Sequence, residues 1–87
     1  MSDARRVLVV DDEEGLRHTL SLLLGEEGYE VLQAADGEEA LKLLDAEPVD
    51  FVVSDLRMPK LDGLQLLEAL GDRTSELIFI LMSAYGD

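Results

Sequence analysis

Short aliphatic runs alternate along this sequence with longer stretches in which apolar residues recur at helical spacing. The aliphatic runs span residues 5–10, 29–34, 49–54 and 77–82, and the last has no polar alternation at all. Strands that are buried on both faces lack such alternation, and they are typical of parallel sheets covered by helices on both sides. The pattern therefore predicts the order β-α-β-α-β-α-β and an α/β fold with a doubly wound parallel sheet.

The first helical stretch begins in an acidic cluster at residues 11–14. Acidic residues favour the positive end of a helix dipole, so the cluster indicates a helix start. Leucines then recur at helical spacing; these are Leu16, Leu20, Leu23 and Leu24. Leu20, Leu23, Leu44 and Phe51 are predicted core residues. His18 falls between the leucine positions, so we expect it to face solvent.

The second and third helices carry capping signals at their starts. Asp36 is the predicted N-cap of the second helix, and Glu39 is expected to reach back to the cap in a capping box. Asp62 repeats this pattern before the third helix, with Gln65 in the place of Glu39. The second helix should end before Pro48, because the residue preceding proline disfavours helical backbone.

Composition narrows what a chain of this size can do. Its 87 residues suffice for one domain, predicted to span residues 1–87. With 7 basic against 20 acidic residues the net charge is −13, which opposes binding to nucleic acid or anionic membranes. The absence of cysteine excludes disulfides, thiolate metal sites and cysteine nucleophiles. No signal-peptide pattern or bilayer-length apolar run is present, so we expect a cytoplasmic location.

Acidic residues follow two of the predicted strands. Asp11 and Asp12 come after the first strand and Asp55 after the third, while Ser83 follows the fourth. Because parallel strands end at the same edge of the sheet, the three carboxylates are expected to converge. Carboxylates so close repel one another unless a hard cation such as Mg²⁺ neutralises them. A carboxylate beside Mg²⁺ can act as a nucleophile toward phosphorus.

Each of these residues also has a plainer interpretation. Asp11 and Asp12 could merely cap the first helix, Asp55 could be a turn residue before Pro59, and Ser83 could be an ordinary loop serine. The position of all three acids at predicted strand ends favours a joint site over these separate roles.

The strings VVDDE, SDLRMPKLDG and ILMSA resemble the receiver domains of bacterial two-component response regulators. The sequence is most similar to the nitrogen-regulatory regulators within that family. The resemblance implies a flavodoxin-like fold with strand order 2-1-3-4. It also implies phosphorelay signalling, in which a sensor histidine kinase is the partner and the domain catalyses at most its own phosphorylation and dephosphorylation.

The resemblance further implies a role for each site residue. Asp55 matches the phosphoacceptor, Asp12 a direct Mg²⁺ ligand, and Asp11 a ligand that holds the metal through water. Arg57 would offer its backbone carbonyl to the metal, and Ser83 matches the switch hydroxyl that turns toward the phosphate. The loop that shapes the site is matched by Pro59 and Gly63.

The sequence departs from the family after the fourth strand. Receivers continue with a helix, a fifth strand and a last helix, and the fifth strand ends in a lysine that pairs with the phosphate. This sequence ends at Asp87, and its two lysines, Lys42 and Lys60, do not match that position. A truncated receiver is therefore expected, with impaired phosphorylation and retained but weak Mg²⁺ binding. We also expect self-association, through the exposed strand 77–82 or an uncovered face of the first helix.

Two functional classes remain open at this point. One is a phosphorylated signalling switch, and the other is an interaction module that has the receiver fold without phosphorylation. A flavin-binding doubly wound domain is disfavoured, because four acids stand where a phosphate-binding loop would lie after the first strand.

Overall fold

The computed structural model describes residues 5–56, 61–72 and 77–82. Within them strands and helices alternate in the predicted order. The elements are β1 (Arg6–Val10), α1 (Glu14–Glu26), β2 (Glu30–Ala34), α2 (Gly37–Ala46), β3 (Phe51–Asp55), α3 (Gly63–Leu70) and β4 (Ile78–Met82). None of the helices in this part of the chain combines the length and apolar character that crossing a membrane requires.

The four described strands form one parallel sheet in the order β2-β1-β3-β4. The predicted order 2-1-3-4 is confirmed. Val10, at the end of β1, pairs with Ala34 on one side and with Ser54 on the other. All three pairings are parallel, so every strand points the same way and the chain leaves β1 and β3 at neighbouring points on one edge.

The largest buried cluster lies between the sheet and the pair α2 and α3. Strand residues alternate in direction, so Leu8 and Val10 face this cluster while Val7 and Val9 face the side of α1. The cluster comprises Leu8, Val10, Ala34, Ala40, Leu44, Val52, Leu66 and Leu70. Val7 and Val9 are also fully buried, because α1 packs on β1 and β2 from the other side. Helices therefore cover both faces of the central strands, as the aliphatic runs predict.

The predictions of core residues are only partly right. Leu44 is buried, whereas Leu20 and Phe51 are half-buried. Leu23 is 54% exposed, so its placement in the core was wrong. The reason is the position of α1, which packs on β1 and β2 and leaves the part of its surface that carries Leu22 and Leu23 exposed. His18 is exposed, as its spacing predicts.

The capping predictions are confirmed with one correction. The Asp36 side chain accepts from the Glu39 amide over 2.9 Å, as an N-cap should. The Glu39 carboxylate, however, accepts from the amide of Ala35 at 2.7 Å, one residue before the predicted target. At the third helix, Asp62 and Gln65 form the complete reciprocal capping box.

Candidate metal centre

Asp11, Asp12 and Asp55 converge at the carboxyl edge of the sheet. Each contributes one carboxylate oxygen to a group in which all three atoms lie within 4.8 Å of one another. The pairing of Val10 with Ser54 causes this, because it sets Asp11 directly beside Asp55. Asp55 is the last residue of β3 and pairs with Met82, so the strand runs one residue further than its aliphatic pattern predicts.

Asp11 is the buried member of the trio, with only 1% of its surface exposed. Its amide donates to the carbonyl of Ala34 over 3.1 Å and so extends the ladder between β1 and β2. One carboxylate oxygen, Oδ1, accepts from the amide of Glu13 over 2.8 Å. The other, Oδ2, is buried and has no hydrogen-bond partner among the described residues. A buried anionic oxygen without a partner is costly, so this atom favours a cation at the site.

The electrostatics of Asp11 lead to the same conclusion. Burial raises the pKa of its carboxyl above the ordinary value of 3.8, although the hydrogen bond from Glu13 acts in the opposite direction. The negative charges of Asp55 and Asp12 raise the pKa of Asp11 further. The folded chain therefore holds more negative charge at this point than the surroundings stabilise. A bound cation would relieve that excess.

The other two carboxylates give access to the site. Asp12 is exposed and Asp55 is half-buried, so a ligand can reach both from solvent. Three carboxylates, two of them reachable from solvent, supply the hard oxygen ligands, and leave room for the water ligands, that Mg²⁺ prefers. The donor set therefore fits Mg²⁺, whereas soft transition metals usually take thiolate or imidazole ligands.

Gly63 allows the chain after β3 to return close to Asp55. The Gly63 amide donates to the Leu56 carbonyl over 3.2 Å, and the Leu56 amide donates to the Met82 carbonyl over 2.8 Å. A Cβ atom at position 63 would lie 2.5 Å from the carbonyl oxygen of Asp55 and 2.7 Å from Cδ2 of Leu81. A side chain there would force the Asp55 backbone or Leu81 to shift, so glycine lets α3 begin this close to the end of β3.

The remaining predicted site residues, Arg57, Pro59 and Ser83, lie outside the described residues. One residue near the acidic turn was not singled out from the sequence. Arg17, in α1, donates from Nη1 to the backbone carbonyl of Asp11 over 2.6 Å. The sequence signal that could have identified Arg17 is an arginine six residues after Asp11, near the start of a helix that begins in an acidic cluster.

The family model of the response regulator receiver domain matches residues 7–87. The sequence is 45% identical over 83 residues to a probable transcriptional regulator ycf27 of Cyanophora paradoxa, covering 95% of this chain and 34% of that protein. It is 42% identical over 80 residues to the transcriptional regulatory protein GlrR of Escherichia coli K12, covering 92% of this chain and 18% of that protein.

Among solved structures, the chain is similar to the response regulator protein TrrA of Thermotoga maritima, determined in complex with Mg²⁺ and BeF. The TM-score is 0.87 at 40% identity, covering 94% of this chain and 71% of that one. This likeness, with the observed strand order, confirms the flavodoxin-like fold. The match to GlrR fits the nitrogen-regulatory resemblance. The chain spans about a third or less of the length of these two curated relatives.

Proposed function

The chain belongs to the response regulator receiver domain family, and we propose that Asp55 accepts a phosphoryl group from a phosphohistidine of a sensor histidine kinase. The observation that carries this proposal is the convergence of Asp11, Asp12 and Asp55, with one buried oxygen of Asp11 lacking a partner. Such an arrangement destabilises the fold unless a cation occupies it, so a binding role accounts for it better than helix capping does.

In the proposed reaction a carboxylate oxygen of Asp55 attacks the phosphorus atom of the phosphohistidine. A P–O bond forms to Asp55 as the P–N bond breaks, and the imidazole nitrogen leaves with the electron pair and takes a proton from water. The half-buried position of Asp55, at the open edge of the sheet, leaves it reachable by a second protein. The product is an aspartyl phosphate on this chain.

The Mg²⁺ ion would be held by Asp12 and Asp55, by Asp11 through water, and by the backbone carbonyl of Arg57. When bound, Mg²⁺ supplies positive charge that offsets the negative charge of the phosphoryl group during transfer. The presence of Mg²⁺ and BeF in the Thermotoga maritima relative supports this assignment. Ser83 is the proposed switch hydroxyl, which would donate a hydrogen bond to the phosphate and so couple phosphorylation to a change of binding surface.

Intact mass spectrometry after incubation with acetyl phosphate and Mg²⁺ tests the reaction. We expect a gain of one phosphoryl group in the wild type and none in Asp55→Asn. An Asp45→Asn variant is the matched control, because Asp45 is an exposed acid on α2, away from the carboxyl edge, and labelling should persist. A folded wild type that binds Mg²⁺ yet gains no mass would overturn the proposed transfer and favour an interaction module without phosphorylation.

We also expect slow labelling of a molecule made of these 87 residues. Neither Lys42 nor Lys60 matches the family's phosphate-pairing lysine. One positive charge that would stabilise the negative charge of the phosphoryl group during transfer is therefore missing. Labelling by acetyl phosphate that is as fast as in a receiver with that lysine would contradict this expectation.

Self-association is proposed for the same 87 residues, with a second copy as the partner. Ile78 and Ile80 are 56% and 46% exposed, and the register with β3 places both on the sheet face that carries α1. Leu22 and Leu23 on α1 are also exposed. Burial of these side chains against a second copy would remove exposed apolar surface from water. Because each copy carries a charge of −13, association should strengthen as salt screens the repulsion.

Sedimentation equilibrium tests this association at low and high salt. Ile80→Lys should shift the chain toward monomer, whereas Leu64→Lys, an equally drastic change at an exposed position on α3, should not. A clean wild-type monomer at micromolar concentration in both salts would exclude the self-association.

A further inference from the structure

Arg17 connects the acidic turn after β1 to the neighbouring strand. It lies in the first turns of α1, and its Nη1 donates to the backbone carbonyl of Asp11 over 2.6 Å. Its Nε donates to Oε1 of Gln33, in β2, over 3.3 Å. A single side chain on the helix is therefore bound both to the end of β1 and to β2.

The carbonyl that Arg17 contacts belongs to the peptide unit between Asp11 and Asp12. A peptide unit is planar, so fixing its oxygen also fixes the bond that leads into the next residue. The Asp11 side of the turn is already held by the bond from its amide to Ala34 and by the bond from Glu13 to its carboxylate. Arg17 adds the contact that restrains the Asp12 side, where the carboxylate is exposed.

We propose that Arg17 is a positioning residue for the Mg²⁺ site, acting through the peptide between Asp11 and Asp12. Gln33 holds the guanidinium in the orientation that this contact needs. Arginine suits the task because its donors point in fixed directions from a rigid plane, which a lysine ammonium cannot reproduce. Groups that orient metal ligands without touching the metal typically change affinity by 10–100-fold when they are lost. The inference rests on the proposed function, because it requires that this site binds Mg²⁺.

Calorimetric titration with Mg²⁺ at a temperature where every variant is folded tests the inference. Arg17→Ala should raise the Kd for Mg²⁺ about tenfold. Arg17→Lys should recover part of that loss, because an ammonium can still donate to the Asp11 carbonyl but cannot reproduce the paired geometry. Gln33→Met, which removes only the acceptor for Nε, should raise the Kd by a smaller factor. Thermal unfolding in EDTA, measured for each variant, separates loss of metal affinity from loss of stability.

Arg6→Ala is the matched control. Arg6 lies at the opposite end of β1, where it contacts Glu30 at 2.9 Å and Glu47 at 3.5 Å, so the variant loses the same charge and two contacts. It should lower the unfolding temperature and leave the Kd for Mg²⁺ unchanged. Should Arg17→Ala fail to fold, Arg17→Lys and Gln33→Met still decide the question.

Two negative results are distinguishable. A wild type that binds no Mg²⁺ would overturn the proposed function and this inference together. A wild type that binds Mg²⁺, with a Kd that stays within twofold in Arg17→Ala, would overturn the role of Arg17 alone. If Arg17→Ala does not fold, a Kd within twofold in both Arg17→Lys and Gln33→Met would do the same.

Discussion

Replacing Asp11 with asparagine should stabilise the metal-free protein while weakening its response to Mg²⁺. The substitution keeps the side-chain oxygen that accepts from the Glu13 amide, so the turn after β1 retains its hydrogen bond. It removes a buried negative charge that faces the carboxylates of Asp12 and Asp55. The amide group that replaces Oδ2 can donate to either neighbouring carboxylate, whereas the charged oxygen repels both.

The size of the effect follows from the geometry of the cluster. Two unit charges 4.8 Å apart repel by about 3.5 kcal/mol at an effective dielectric constant near 20. Asp12 is exposed and Asp55 is half-buried, so solvent and salt reduce each repulsion to about 1 kcal/mol or less. We therefore expect the free energy of unfolding to rise by about 1–2 kcal/mol in EDTA. For a domain of this size, each 1 kcal/mol corresponds to about 4–8 °C in unfolding temperature.

Thermal and urea unfolding, each in EDTA and in a Mg²⁺ series, measure both parts of the prediction. Wild type should gain about 1.4 kcal/mol for every tenfold excess of Mg²⁺ over its Kd, because the ion binds only the folded state. Asp11→Asn should gain less at each concentration, so the advantage of the variant should shrink as Mg²⁺ is added. Asp45→Asn, which likewise removes one negative charge but from the exposed surface of α2, should raise stability by less than Asp11→Asn does.

The reasoning would be refuted by a variant that is less stable than wild type in EDTA. That result would mean that the buried carboxylate contributes more through its contacts than it loses through repulsion. An equal gain in Asp11→Asn and Asp45→Asn would instead assign the effect to the net charge of the chain, with no special role for the cluster.

Three further outcomes are expected from unfolding measurements. The stability advantage of Asp11→Asn over wild type should depend on pH, because folding raises the pKa of Asp11. Protonated Asp11 stabilises wild type below about pH 3.8, and this stabilisation is lost as the pH rises through the raised pKa. The variant should therefore be more stable than wild type above the raised pKa and should show no advantage in acid. Gly63→Ala should lower the free energy of unfolding by about 1–3 kcal/mol, because its Cβ would meet the Asp55 carbonyl. Gly25→Ala, in α1 with open space around it, should raise the free energy of unfolding by about 0.5 kcal/mol. Equal effects of the two substitutions would contradict the close approach at Gly63. Asp36→Ala should cost about 1 kcal/mol through loss of the α2 cap, and an unchanged unfolding midpoint would argue against that bond.

Much of the fold was predictable because its signals are local. A capping bond such as the one from the Gln65 amide to the Asp62 carboxylate joins residues three positions apart, so the spacing in the sequence already defines its geometry. The aliphatic runs indicated a sheet buried on both faces, and right-handed crossovers then left few possible strand orders. The same reasoning places Asp11 and Asp55 at one edge of the sheet from the sequence alone.

Other features depended on how the elements pack. The exposure of Leu23 follows from where α1 lies across the sheet, and helical spacing cannot indicate how much of a helix surface its neighbours cover. A glycine such as Gly63 fits many kinds of loop in a sequence. Only the short distance between Gly63 and the Asp55 carbonyl oxygen shows why a side chain is disfavoured at this position.

The sequence by itself determined the elements, their order and the three carboxylates at the ends of β1 and β3, because periodicity and capping act over a few residues. Only the tertiary structure decided that one oxygen of Asp11 is buried without a partner and that Arg17 spans from Asp11 to Gln33. Those facts depend on the angle and distance between α1, β1 and β2. Packing of side chains that are far apart in the sequence sets that angle, and no local pattern encodes it.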